Sequence, residues 1–183
     1  MKNIYILFLF ISTISGFSQT NYSVVPIPYQ TFTGQLPVQF TQDDINSGLI
    51  NLPFTFDFYG TNYTQIVVST NGYIDFRSEM ASAYSPWSFS TTIPDTNFPV
   101  KNSILGCYHD MNNSDGQGTI TYGIYGISPY RKFVVVYHNN SHFQCNAAVK
   151  SSFQMILQET TNIIEVQLVD KQVCNSWNSG RAV

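Results

Sequence analysis

Three histidines give this chain its first candidate chemistry: His138 and His142 stand four residues apart, and His109 lies upstream. Grouped imidazoles can ligate a transition metal or act in acid–base catalysis. Four-residue spacing aligns side chains on a helix, but here it joins a strand end to an Asn-rich loop. Solvated loop histidines are therefore expected. The run Asp110, Met111, Asn112, Asn113, Ser114, Asp115, Gly116 offers oxygen atoms at the close spacing a hard cation such as Ca²⁺ needs, with Asp110, Asn112 and Asp115 as its ligands. The run is out of register with an EF-hand loop and lacks the bidentate Glu that closes one. Asp and Asn before Gly also make ordinary turns through side-chain to backbone bonds. A plain turn is the expectation, and no cofactor is required.

Catalytic patterns are sparse. There is no Gly-x-Ser-x-Gly elbow, and no single serine stands out as a nucleophile. Glycoside hydrolysis needs two carboxyl groups a few ångströms apart, whereas Glu79, Asp95, Glu159 and Glu165 are scattered over loops and strand faces. No enzyme activity is expected. The better binding argument is aromatic. Tyr84, Trp87 and Phe89 can stack on sugar faces or on a partner protein, because rigid amphipathic rings give large contact area at low entropy cost. The same rings can cap a core beneath their loop, which is the plainer expectation.

These groups must be positioned by strands, since no segment shows helical periodicity over three turns. Leu52, Phe54, Phe56 and Phe58 alternate with Pro53, Thr55 and Asp57, the period-two mark of a strand with one buried face. Tyr59 to Asn62 turns the chain, Tyr63 to Ser69 returns, and Thr70, Asn71 and Gly72 lead into Tyr73 to Phe76. An Asn-Gly step between apolar runs is a hairpin signal, because both residues tolerate positive φ. Further strands are expected at Ser103 to Tyr108, Thr119 to Tyr125, Lys132 to His138, Phe153 to Gln158 and Asn162 to Val169. Val24 to Tyr29, with two prolines, suits an edge strand or an extended lead-in. Asp43 to Gly48 reads as a polar break. Arg77 to Val100, with Pro86, Pro94 and Pro99, reads as a long surface loop. Eight or nine short strands point to an all-β, two-sheet antiparallel sandwich, jelly-roll-like in kind.

The first residues carry a secretory signal. Met1 and Lys2 precede an apolar run from Ile4 to Ile11 and a small, polar stretch from Ser12 to Ser18, which predicts cleavage after Ser18. The apolar run is too short for a membrane span of ~20 residues, and no second run approaches that length. The remainder, 19–183, fits one domain. Net charge is −3, with 10% charged residues against 14 Phe and 12 Tyr. Without a basic stripe, nucleic-acid binding is not expected. Export permits a disulfide, but the spacing of Cys107, Cys145 and Cys174 does not choose a pair.

The run LPFTFDFYGTNYTQIVVSTNGYIDF, from Leu52 to Phe76, resembles the opening hairpin of nidogen-like extracellular β domains. The run TNIIEVQLVDKQVCNSWNSGRAV, from Thr161 to Val183, resembles the closing part of a module near the N-terminus of large surface proteins of gliding Gram-negative bacteria. ILGCYHDMN and RKFVVVYHN fit the same pattern between them, so the resemblance covers most of the chain. It implies a secreted or cell-surface β-sandwich with no catalytic residues. It also implies a Cys145–Cys174 disulfide with Cys107 left free, against which three reduced, buried thiols are the other reading. Relatives continue past the Gly180 region with further strands. Arg181 and Ala182 thus read as a strand start, and the chain as a fragment whose sheet lacks its last strand and leaves an unpaired edge. The expected function is a non-enzymatic adhesion or interaction module that binds an extracellular protein or glycan through its loops. A carbohydrate-binding module and an accessory domain of a secreted hydrolase are the alternatives.

Overall fold

The computed structural model describes residues 28–182. The signal peptide expected over residues 1–18 and most of the Val24 to Tyr29 segment lie outside the described residues. Among the described residues ten strands form two antiparallel sheets. β1 (Leu36–Pro37), β7 (Thr119–Tyr125), β8 (Lys132–His142), β9 (Asn146–Gln158) and β10 (Ile164–Lys171) lie in that order in the six-stranded sheet, where β6 (Met111–Asn112) also pairs with β8. The four-stranded sheet runs β2 (Ile50–Phe58), β3 (Thr61–Val68), β4 (Tyr73–Asp75), β5 (Ser103–Leu105). The two sheets pack as a sandwich. Among the described residues no helix is long and apolar enough to cross a membrane.

The alternation read from the sequence decides which face of β2 turns inward: Leu52, Phe54, Phe56 and Phe58 are buried while Thr55 is exposed. These rings meet Ile66, Val68, Ile74 and Phe76 from their own sheet and Phe133, Val135, Tyr137, Phe153, Met155 and Leu157 from the other. Phe58 stacks on Phe76 at 4.5 Å, and Tyr137 on Phe153 at 4.3 Å. Interdigitation of this kind fills the space between two sheets ~10 Å apart. The continuous run Phe133, Val134, Val135 has a different cause. Its odd members face the core, and Val134 joins Ile156 beneath Phe32 of the segment lying across the outer face. A strand covered on both sides reads as unbroken apolar sequence.

Two departures from the sequence reading matter for the site. First, β8 does not stop at His138. Its register with β9 shifts between Tyr137 and Asn140, with Asn139 at φ 52°, and pairing then resumes through His142. Asn tolerates that conformation, and such a bulge re-aims the residues beyond it. Second, the polar break Asp43–Gly48 is partly buried and paired into the fold. Ile45 and Asn46 make bridges to Tyr84 and Ser69, and Asn46 and Ser47 are buried.

Candidate functional site

The turn joining β3 to β4 organises one end of the sandwich. Ser69 N–H donates to Tyr73 O at 2.9 Å across the three-residue loop Thr70-Asn71-Gly72. Only Gly72 has positive φ, at 90°, and a Cβ there would sit 2.2 Å from the Cys107 carbonyl oxygen. Asn71 is therefore not present for its backbone, as the hairpin reading had it. Its side chain holds the end together: Nδ2 donates to Asp44 Oδ1 at 2.9 Å and to Ser85 Oγ at 3.2 Å, while Oδ1 accepts the Met111 N–H at 3.0 Å. Three segments distant in sequence meet on this one amide.

Next to Met111, His109 and His142 contact each other, with ring centroids 3.8 Å apart. Both are buried, at 4% and 3% exposure, which corrects the expectation of solvated loop histidines. The bulge after Tyr137 causes it, by extending β8 so that His142 pairs with Met111 of β6 and its Nε2 meets Ser151 Oγ at 2.8 Å. Burial, then the neighbouring His142, lowers the His109 pKa to about 3; burial, then Lys171, lowers that of His142 to about 4. Both rings are neutral at physiological pH. His138, by contrast, is exposed on the other side of the bulge.

Asp110 lies beside this pair. Its Oδ2 accepts the Trp177 indole N–H at 2.6 Å. Burial raises its pKa to about 7 against that hydrogen bond, with Asp44 and Asp43 adding to the rise. The cavity bounded by His109, Asp110, His142, Lys171 and Trp177 is about 20 Å³, roughly the space of a single water. Perturbed pKa values often mark active sites. Here the Asp110–Trp177 bond ties the closing segment to the perturbed groups.

The closing segment is fixed by the Cys145–Cys174 disulfide, as the resemblance implied, with Cα atoms 5.9 Å apart. Cys107 is free and buried, and that burial pushes its thiol up to about 11. Beyond Cys174, the Trp177 ring lies 5.8 Å from Trp87 and 5.2 Å from Phe143. A cleft of about 360 Å³ opens there, between the long loop at Trp87, Phe89 and Asn97 and the closing segment at Asn178 and Arg181.

The residues singled out from the sequence separate accordingly. Trp87 is half-buried and walls the cleft. Phe89 also touches the cleft but packs against Phe98 and Tyr108, in the capping role expected for the loop aromatics. Tyr84 is exposed and bridges to Ile45. Of the proposed Ca²⁺ ligands, Asp110 is engaged by Trp177. Asn112 accepts the Ser114 N–H, and Asp115 accepts the Gln117 N–H, each an Asx turn of the kind expected. Among the described residues no group of three or more His, Cys, Asp and Glu is placed to hold a metal ion. Glu159 forms an ion pair with Arg131 at 2.6 Å, and Glu165 accepts from Gln167, both structural contacts. A second groove, of about 590 Å³, runs along the outer face of the six-stranded sheet beside Tyr29–Gly34, with Val136, His138 and Val169 among its walls.

Sequence reasoning missed the His109–His142 contact and the Asp110–Trp177 bond. The one local signal for the first was Asn139-Asn140, a pair suited to a bulge through which strand pairing continues.

A family model described as NIDO related matches residues 17–183. No curated protein and no solved structure matches significantly.

Proposed function

The chain belongs to the NIDO-related family, and from that premise we propose that it is an exported, non-enzymatic interaction module of the cell surface. In this reading a single β-sandwich domain follows a cleaved signal peptide and presents its ligand-binding loops at the end where Arg77 to Val100 meets the closing segment. The family match over residues 17–183 is the observation that carries it. Two features of the molecule agree with it. The loop end is held by a disulfide, which persists in oxidising compartments. Its cleft is lined by side chains suited to contact rather than bond-breaking, because the perturbed acid–base groups lie beneath it against a cavity of single-water size.

The test has two arms. Expression in a Gram-negative host should yield exported protein whose intact mass corresponds to an N-terminus at Gln19. Beads coated with that protein should be retained on cells or extracellular matrix of the producing organism, and replacing residues 90–97, which lie clear of Ser85 and Phe89, with a Gly/Ser linker should abolish retention while the circular dichroism of the sandwich survives. Uncleaved cytosolic protein overturns the reading. Turnover on a panel of esters, glycosides and peptides does so too.

A further inference from the structure

The cleft beside Trp87 has the composition of a particular kind of binding site. One wall is an aromatic face, half-buried and buttressed from behind by Trp177 at 5.8 Å, which in turn rests on Phe143 at 5.2 Å. A ring held in this way offers a flat apolar surface without loss of side-chain freedom on binding. Around it stand short hydroxyl and amide side chains, Ser90, Asn97 and Asn178. Arg181 is the only formally charged residue on the lining. Its Nη1 donates to the Phe89 carbonyl at 3.4 Å, which leaves the other donors of the guanidinium fork for a ligand. The chain has net charge −3, so this cation stands out against the charge of the molecule as a whole. At about 360 Å³ the space lies at the small end of ligand pockets, which run from ~300 to ~1,000 Å³.

A ligand matching all of these features has an apolar ring face, several hydroxyl groups and a carboxylate. A peptide side chain offers two of the three at most. A uronic acid residue in a saccharide offers all of them, its pyranose face toward the indole and its carboxylate in the Arg fork, the geometry in which Arg surpasses Lys.

We propose that the Trp87–Arg181 cleft binds a uronic-acid-bearing saccharide of one or two sugar rings, with Trp87 as the stacking platform and Arg181 as the carboxylate-selecting group. The inference rests on the interaction-module reading and names its ligand class.

Calorimetric titration of the purified protein with short galacturonate oligosaccharides, beside the same oligosaccharides with carboxyl groups reduced to alcohols, tests it. Binding is expected to weaken at least about tenfold on carboxyl reduction, a discrimination of ~1.4 kcal/mol. Arg181→Gln should erase that preference while keeping the weaker neutral binding, and Trp87→Ala should abolish both. Should Trp87→Ala fail to fold, Ser90→Trp fills the cleft from an exposed position and must also abolish binding. Equal affinity for acidic and reduced sugars overturns the inference, as does binding that survives both Trp87→Ala and Ser90→Trp. Absence of any saccharide binding, with bead retention on cells intact, overturns it too. That last result leaves the interaction module standing with a protein as its partner.

Discussion

Trp177 donates its indole N–H to the Asp110 carboxylate at 2.6 Å across 67 residues of sequence, and the same indole backs Trp87 at the wall of the cleft. One side chain thus ties the loop-end surface to the polar cluster at its base. The bond also opposes the burial that raises the Asp110 pKa, because it favours the ionised carboxylate.

Trp177→Phe keeps a ring against Trp87 and Phe143 but removes the donor. The Asp110 pKa should then rise above its present value of about 7. Stability should fall by about 1.5 to 3 kcal/mol, the usual range for one hydrogen bond to a charged group. Carboxyl ¹³C titration and urea unfolding measure the two effects, and an unmoved Asp110 titration removes the bond from the account.

Acid should unfold the protein through the histidine pair. Folded values of about 3 for His109 and about 4 for His142 lie below the ordinary 6.5, so the unfolded chain binds more protons in this window. The stability they contribute is present above about pH 6.5 and is lost as pH falls. Asp110 acts in the opposite sense. Its folded value of about 7 lies above 3.8, so its contribution is full at low pH and is lost as pH rises toward 7. Two imidazoles against one carboxyl give a net uptake of about one proton on unfolding between roughly pH 4 and pH 6.5. Lys171, Asp170, Asp43 and Asp44 are the charged neighbours that tune this balance. Urea midpoints across that range should fall with pH in the wild type and fall less steeply in His142→Gln.

Losing the disulfide should release the closing segment. Cys145 and Cys174 are 29 residues apart, so the double Cys→Ser variant should lose roughly 3 to 4 kcal/mol by the loop-entropy argument. The Trp87–Trp177 contact should loosen with it, visible as a red shift in tryptophan emission. Cys107 should resist iodoacetamide at mildly alkaline pH until the protein unfolds, because its thiol is buried and raised to about 11.

Asn71 and Gly72 should both be intolerant of alanine, for different reasons. Asn71→Ala strands the buried Met111 N–H and frees Asp44, at a cost of roughly 2 to 3 kcal/mol. Gly72→Ala forces a side chain into φ 90° against the Cys107 carbonyl and should cost more than about 1 kcal/mol. Asn71→Asp separates the side-chain role from the backbone one. It keeps an acceptor for Met111 N–H but loses the donor to Asp44, so it should be destabilised at neutral pH.

By itself the sequence determined the class and the inner faces of the main strands. Period-two alternation around Phe54, Phe56 and Phe58 needs no distant partner to be read, since each position faces inward or outward by the geometry of a strand. Thr119–Tyr125 was legible to the residue for the same reason. Only the tertiary structure decided the site. The burial of His142 depends on a register shift at Asn139, where local propensity permits a loop or a continued strand, and pairing with β9 and β6 selects the strand. The Asn71 amide looked like turn chemistry because its partners, Asp44, Ser85 and Met111, lie 27, 14 and 40 residues away. Nothing local marks Asp110, Trp87 and Phe143 as the neighbours of Trp177. Long-range hydrogen bonds and ring contacts leave no periodic trace in sequence, so the strands were visible before folding and the cleft between their loops was not.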